Sequence, residues 1–225
     1  MKQVILTLVV MSLVSACAAV TQTTVPQPSL TLETLATSTP EAATASPISS
    51  ESVAESTIPA QSNNFFTQND IALPAPACSG LTQPQTEGPY YTANTPERNI
   101  LFEEGMEGTR LILVGYVLDQ NCNPLPNTWL DFWQADTQGE YDNAGYRLRG
   151  HQFTDSQGRY YLETIVPGLY ASRPIEHIHV KIKPEGGEEL TSQLYFPTQA
   201  VEGLTVHVED RGDHWIGYFN FVVQR

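Results

Sequence analysis

Two histidines, His177 and His179, open a segment that alternates in polarity as far as Lys183. Such alternation is typical of a β-strand, in which residues i and i+2 point to the same face. Two imidazole rings on one face are half of a metal site, and imidazole binds iron, copper, zinc and nickel. Tyr170 closely precedes the pair, and further tyrosines lie upstream. Two surface histidines on an edge strand are the alternative interpretation of the pair alone.

The C-terminal two thirds of the chain predicts strands that would position this pair. Runs rich in Val, Ile, Leu, Tyr and Phe are bounded by Asn, Asp, Gly and Pro. The predicted strands are residues 111–118, 128–134, 159–165, 177–183, 190–196 and 216–223. We expect an all-β fold, an antiparallel β-sandwich. Long loops are expected between Tyr141 and Thr154 and between Phe196 and Ile216, and loops of such length are commonly functional.

The chain divides into three regions by composition. Residues 1–17 contain a basic start, an apolar run and small residues before Cys17, which predicts a signal peptide ending in a bacterial lipobox with Cys17 lipidated. An ordinary signal peptide with an incidental cysteine is the alternative. Residues 18–75 are rich in Ser, Thr, Ala, Pro and Gln and lack Lys and Arg, which favours a disordered tether. Residues 76–225 suffice for one domain with a core.

These features predict an exported lipoprotein that is anchored in a membrane and carries its domain on the extracytoplasmic side. The chain has 25 acidic and 11 basic residues, a balance that argues against nucleic-acid binding. In an oxidising compartment the remaining cysteines, Cys78 and Cys122, predict a disulfide. Two buried free thiols are the alternative. The sequence contains no C-x-x-C motif, so neither cysteine is expected to bind a metal.

Six weak motifs follow one another along residues 83–200. They are Thr-Glu-Gly-Pro-Tyr-Tyr at 86–91, Leu-Asp-Phe-Trp-Gln-Ala-Asp at 130–136 leading to Gly-Glu-Tyr at 139–141, Arg-Gly at 149–150 leading to Thr-Asp at 154–155, Pro-Gly-Leu-Tyr at 167–170, Arg-Pro at 173–174 leading to His-Ile-His at 177–179, and Ser-Gln-Leu-Tyr-Phe at 192–196. In this order they resemble the intradiol ring-cleavage dioxygenases, the family of protocatechuate 3,4-dioxygenase and catechol 1,2-dioxygenase. The secreted or lipoprotein branch is the most similar, and a prealbumin-like sandwich core is implied.

The resemblance implies one non-haem Fe(III) ion per domain, with Tyr141, Tyr170, His177 and His179 as its ligands. Tyrosinate is a hard anionic donor, and a ferric ion lowers the phenol pKa far below its free value of about 10. A catechol would bind the metal through both oxygens and displace a metal-bound hydroxide and Tyr170. These two displaced groups would accept the two protons of the catechol. With O2 the ring would open between its two hydroxyl-bearing carbons and give a muconate-type diacid.

The resemblance also implies roles for residues around the metal. Arg173 would stabilise charge on the substrate ring, although it stands four residues before the first ligand histidine where the family has three. An ion pair with Glu176 is the alternative for Arg173. Gln193 would lie near a metal-bound hydroxide, with an exposed strand position as its alternative. Pro89 and Tyr90 are expected to line the mouth of the substrate pocket.

Two other functions fit parts of the sequence. One is a tethered β-sandwich that binds or scaffolds without catalysis. The other is a cupin-like Fe(II) enzyme that would use His177, His179 and a carboxylate such as Glu185. Colour separates the three hypotheses, because only tyrosinate bound to Fe(III) gives a red-brown protein.

Overall fold

The computed structural model describes residues 61–170 and 173–225. Cys17, the predicted signal peptide and tether residues 18–60 lie outside these ranges, so the lipid anchor stays a prediction. Within the described ranges, no helix has the length and apolar character needed to cross a membrane. The described chain consists almost entirely of strands and their connections, with helix α1 at Gln61–Gln68 and a short 3-10 turn at Pro197–Gln199.

Two sheets pack face to face and confirm the predicted β-sandwich. Their strands are β1 (Arg110–Asp119), β2 (Trp129–Gln134), β3 (Arg149–Phe153), β4 (Arg159–Ile165), β5 (His177–Lys183), β6 (Leu190–Tyr195), β7 (His207–Asp210), β8 (His214–Tyr218) and β9 (Phe221–Val223). The first sheet has the order β4-β1-β8-β7, with β9 paired to β1, and the second has the order β3-β2-β5-β6. Pairing is antiparallel except that β8 and β9 run parallel to β1.

Three details differ from the predicted strands. Strand β3 and strand β7 lie inside the two segments predicted as long loops, because their short polar sequences acquire strand geometry from pairing rather than from periodicity. The predicted strand at 216–223 is two strands, β8 and β9. Strand geometry is interrupted at Phe219, whose carbonyl oxygen would lie 1.7 Å from a Cβ placed on Gly115. Only a glycine at position 115 permits this approach.

Strand β5 has a different role on each face. Ile178, Val180 and Ile182 point into the core between the sheets, where they pack in the main cluster with Leu130 and Phe132. His177, His179 and Lys181 occupy the alternate positions, and the burial pattern shows that these side chains are also buried. The sheet therefore presents an apolar face to the core and a buried polar face to the chain that covers it.

Residues 61–75, predicted as the end of the disordered tether, are instead folded onto the first sheet. Phe65, Phe66 and Ile71 are buried in a cluster with β1 and β8. The ring of Phe65 stacks on Tyr161, with the centroids 3.6 Å apart. The average composition of a long polar segment concealed this short apolar cluster, which is why the sequence pointed to disorder.

A disulfide between Cys78 and Cys122, with the Cα atoms 5.6 Å apart, attaches the arm that follows α1 to the turn after β1. The arm then crosses to the second sheet. The amide of Thr82 donates to the carbonyl of Val222 in β9, and the amide of Gln85 donates to Thr191 in β6, both at 2.9 Å. The chain is thereby brought to the polar face of the second sheet.

We expect Phe65→Ala to lower the free energy of unfolding by about 2 to 4 kcal/mol, because it removes a buried ring stacked on Tyr161. Chemical denaturation of the purified protein measures the change. Gln68→Ala, an exposed position on the same helix, is the control. Equal stability of the Phe65 variant and the wild type would mean that α1 contributes nothing to the fold.

Candidate metal centre

The polar face of the second sheet carries the predicted site. Trp133 in β2 and Gln193 in β6 are the register partners of His179 on its two sides. Tyr195 is the partner of His177. Because opposed residues of paired strands share a face, these side chains meet in one place. The indole of Trp133 stacks on the His179 ring with a centroid distance of 4.8 Å and an angle of 9°.

Residues 86–91, which we call the covering segment, lie across this face. The Gln193 amide Nε2 donates to the carbonyl oxygen of Thr86 at 2.6 Å. The Lys181 ammonium forms an ion pair with Glu87 at 2.8 Å. Directly after these two anchored residues, Gly88 has a φ of +74°, and a Cβ at that position would lie 3.5 Å from Cε1 of His179. The covering segment thus shields the histidines from solvent.

Three donor atoms converge on this face. The Nε2 atoms of His177 and His179 are 3.1 Å apart, and the Tyr141 hydroxyl lies 3.5 Å from Nε2 of His177. Donors that bind one transition-metal ion at about 2.1 Å and at right angles to each other are about 3 Å apart. The histidine pair matches this spacing and the tyrosine exceeds it by about half an ångström. The donor set therefore fits a metal ion.

The histidines are set up as neutral ligands. His177 Nδ1 lies 2.7 Å from the carbonyl of Ile175, which can only accept, so Nδ1 carries the proton and Nε2 presents its lone pair. Burial lowers the pKa of His177 to about 4 and that of His179 to about 2. Arg173 lowers both pKa values further. Protons therefore do not compete for these nitrogens near neutral pH.

The two tyrosines come from loops that touch each other. Tyr141 follows a turn after β2 in which the Asp136 carboxylate accepts the amide of Glu140 at 2.9 Å. Gly139 in that turn has a φ of +79°, and a Cβ there would lie 2.2 Å from the carbonyl oxygen of Leu169. Tyr170 directly follows Leu169, and its ring meets that of Tyr141 edge-on with the centroids 5.9 Å apart. The close approach at Gly139 brings the two phenols together.

Tyr141 is not ionised by its protein surroundings. Burial raises the pKa of Tyr141, the neighbouring Tyr170 raises it further, and the charges of Arg173 and Arg149 oppose the rise. A bound cation reverses this balance, because it stabilises the phenolate directly. Ionisation of Tyr141 would therefore be coupled to the binding of a metal ion.

A hydrogen-bonded chain leads from Arg173 into the site. Its Nη2 donates to the Tyr195 hydroxyl at 3.0 Å, and that hydroxyl donates to Oε1 of Gln193 at 2.8 Å. Gln193 is fully buried, which excludes the exposed alternative. Among the described residues Arg173 has no ion pair with Glu176, whose carboxylate instead accepts from Thr198 at 2.7 Å. The shift of one residue leaves Arg173 at the site.

The remaining predicted pocket residues lie on the covering segment. The Tyr90 ring stacks on the Tyr141 ring with the centroids 4.4 Å apart and an angle of 17°. Pro89 beside it is exposed. Sequence reasoning missed Tyr195, although its position two residues after Gln193 in a strand places both side chains on the same face.

The cupin-like alternative finds no support in this geometry. Within residues 61–170 and 173–225, no three side chains of His, Cys, Asp or Glu are grouped so as to hold a metal ion. Glu185 is exposed in the turn after β5. The hydroxyl of Tyr141, not a carboxylate, accompanies the two histidine nitrogens.

Comparison with known proteins decides the family. A family model described as Dioxygenase matches residues 86–203, more than half of the chain. Catechol 1,2-dioxygenase of Acinetobacter baylyi is 30% identical over 137 residues, which are 48% of this chain and 44% of the relative. The beta chain of protocatechuate 3,4-dioxygenase of Burkholderia cepacia is 34% identical over 108 residues, 40% of this chain and 46% of the relative. The chain belongs to the intradiol ring-cleavage dioxygenase family. It spans about half the length of these relatives.

Solved structures of this family share the fold. The dioxygenase domain of a dioxygenase and carbohydrate-binding protein fusion from Streptomyces sp. SirexAA-E is 43% identical with a TM-score of 0.62, over 64% of this chain and 98% of that domain. The 3-chlorocatechol 1,2-dioxygenase of Rhodococcus opacus is 30% identical with a TM-score of 0.59, over 64% of this chain and 72% of that structure. The resemblance inferred from the motifs is thus confirmed at the level of the family.

The donor geometry predicts that His179→Ala and Tyr141→Phe each lower the affinity for iron by at least about a hundredfold, since each removes one convergent donor. Metal analysis after dialysis, followed by iron titration, measures the loss. His151→Ala is the matched control, because His151 lies on β3 in the same sheet, separated from β5 by β2, and bonds to the carbonyl of Thr95 at 2.8 Å. Equal iron binding by all three variants would contradict the assignment.

Proposed function

We propose that this domain is a ferric dioxygenase that opens catechol-type rings between their two hydroxyl-bearing carbons and forms muconate-type diacids with O2. The observation that carries the proposal is the convergence of two neutral imidazole nitrogens, 3.1 Å apart, with a tyrosine hydroxyl 3.5 Å away. Catechols named in the relatives, including chlorocatechol and hydroxyquinol, support this substrate class.

Tyr141, Tyr170, His177 and His179 would hold the iron. When bound, a ferric ion supplies a Lewis acid that both catechol oxygens can bind and that draws electron density from the ring. Two phenolates offset most of its charge, while the imidazoles add none. The stacked, half-buried ring of Tyr141 suits the ligand that stays in place throughout the reaction.

Tyr170 is suited to leave the metal and act as a base. Its ring is held edge-on by Tyr141 and Tyr90, at centroid distances of 5.9 and 6.1 Å, and is not stacked between them. If the metal holds it as a phenolate, its oxygen would accept a proton from one catechol hydroxyl as the substrate binds. A single side chain would thus serve as ligand before binding and as base during it.

Arg173 supplies positive charge beside the donors. The bond to the Tyr195 hydroxyl fixes its guanidinium, and Tyr195 is fixed in turn by Gln193. A charge held in place before the reaction stabilises negative charge that develops on the substrate without reorganisation of the site. The covering segment strengthens this effect, because it keeps water from the face on which the histidines lie.

We expect the iron-loaded protein to convert catechol to a diacid that contains both atoms of isotopically labelled O2, one in each new carboxyl group. Mass spectrometry of the product and oxygen consumption measure this. Tyr170→Phe should lower kcat on the order of a hundredfold or more, because the base is lost.

Tyr146→Phe is the matched control for Tyr170→Phe. Its hydroxyl bonds to the carbonyl of Ala93 at 3.3 Å, and it lies outside the donor set. A semialdehyde product would mean that the ring opens between a hydroxyl-bearing carbon and the adjacent carbon without a hydroxyl. That result would contradict the proposal. Absence of oxygen uptake by iron-loaded protein would instead favour the non-catalytic sandwich.

A further inference from the structure

Arg149, the first residue of β3, is an arginine with no exposed surface. Its Nη1 donates to the carbonyl oxygen of Tyr90 at 2.6 Å, and its Nε donates to the carbonyl oxygen of Asp142 at 3.0 Å. Tyr90 belongs to the covering segment, and Asp142 directly follows Tyr141. One guanidinium group therefore joins the two stretches of chain whose rings stack at 4.4 Å.

The charge of Arg149 is influenced by the carboxylates of Asp142 and Asp131 without a direct ion pair to either. Among the described residues no carboxylate lies within ion-pair distance of it, and its Nη2 is buried without a hydrogen-bond partner. The Asp142 side chain is engaged elsewhere, with the amides of Ala144, Gly145 and Arg147 at 2.8 to 3.0 Å. Burying a cation in this way lowers stability.

A second costly feature adjoins the first. Leu148, directly before Arg149, has a φ of +54° although it is neither glycine nor asparagine. Such a conformation is strained for a bulky residue and persists only where the surroundings impose it. Two adjacent features that cost stability are typical of a functional position. Because Arg149 has no exposed surface, we assign it a role other than contact with substrate.

We propose that Arg149 is a positioning residue of the dioxygenase site. Its planar fork holds Tyr90 against Tyr141, so that the Tyr141 oxygen stays beside His177 and the wall formed by the covering segment stays in place. The guanidinium carbon also lies over the Tyr141 ring, 6.0 Å from its centre. The inference rests on the proposed function, since it assigns a role at that same metal site.

The test compares Arg149→Lys with Arg159→Lys in the full-length protein. Lysine keeps the charge, but its single ammonium cannot reproduce the fork that joins two carbonyls. Arg159 is the matched control, because its guanidinium also makes bonds, to Asp155 at 2.7 Å, but does so in the turn before β4. The first readout is amide hydrogen exchange of residues 140–149 in metal-free protein. We expect at least about tenfold faster exchange in Arg149→Lys and no change in Arg159→Lys.

The second readout uses iron-loaded protein. We expect the tyrosinate charge-transfer band to shift in Arg149→Lys alone, and kcat to fall roughly tenfold to a hundredfold with a smaller change in KM, because the donor rather than the substrate contact is displaced. Unchanged exchange, or faster exchange with an unaltered band and kcat, overturns the proposal.

Other outcomes separate this inference from the proposed function. If the wild-type protein binds iron but does not open rings, the proposed function is wrong, and the charge-transfer band still decides the role of Arg149. If the wild-type protein shows no band, both are wrong. Should Arg149→Lys fail to fold by circular dichroism, Arg149→Gln takes its place. Failure of both variants to fold assigns Arg149 to the fold and overturns the proposal.

Discussion

Strand β5 is buried on both faces, and the rest of the domain must cover each face with a different kind of partner. On one face Ile178, Val180 and Ile182 pack into the core, which requires the first sheet as a partner. On the other face His177 and His179 are buried away from water, so their ring nitrogens require polar partners or a metal. A strand that is apolar on one side and carries the histidines on the other places the site directly against the hydrophobic core.

The covering segment, which precedes the first strand, closes the polar face, and specific bonds hold it there. Gln193 holds Thr86, Lys181 holds Glu87, and Arg149 holds Tyr90 through its carbonyl. Because the cover excludes water, burial lowers the pKa of both histidines and raises that of Tyr141. The same exclusion makes an added cation the dominant charge in the site, which favours ionised tyrosines around it. Fold and chemistry therefore depend on one closed surface.

The period of two along β5 predicted the shared face of His177 and His179, since backbone geometry alone fixes it. No periodicity could place Tyr141 or Tyr170, because both stand on loops whose approach depends on the contact at Gly139; only the resemblance to a family named them. Strand β3 was missed for a related reason, as its sequence is short and polar and is extended only through pairing with β2. The folded stretch at 61–75 was missed because average composition obscures a few aromatic residues.

The most direct test of the account is the visible absorption spectrum of the iron-loaded protein, recorded before and after addition of catechol under nitrogen. A site that holds Fe(III) through Tyr141 and Tyr170 predicts a broad tyrosinate charge-transfer band. That band should move to longer wavelength when catechol replaces Tyr170. A protein that stays colourless after loading with iron and exposure to air would contradict tyrosine ligation and, with it, the central claim that this buried face is a ferric site.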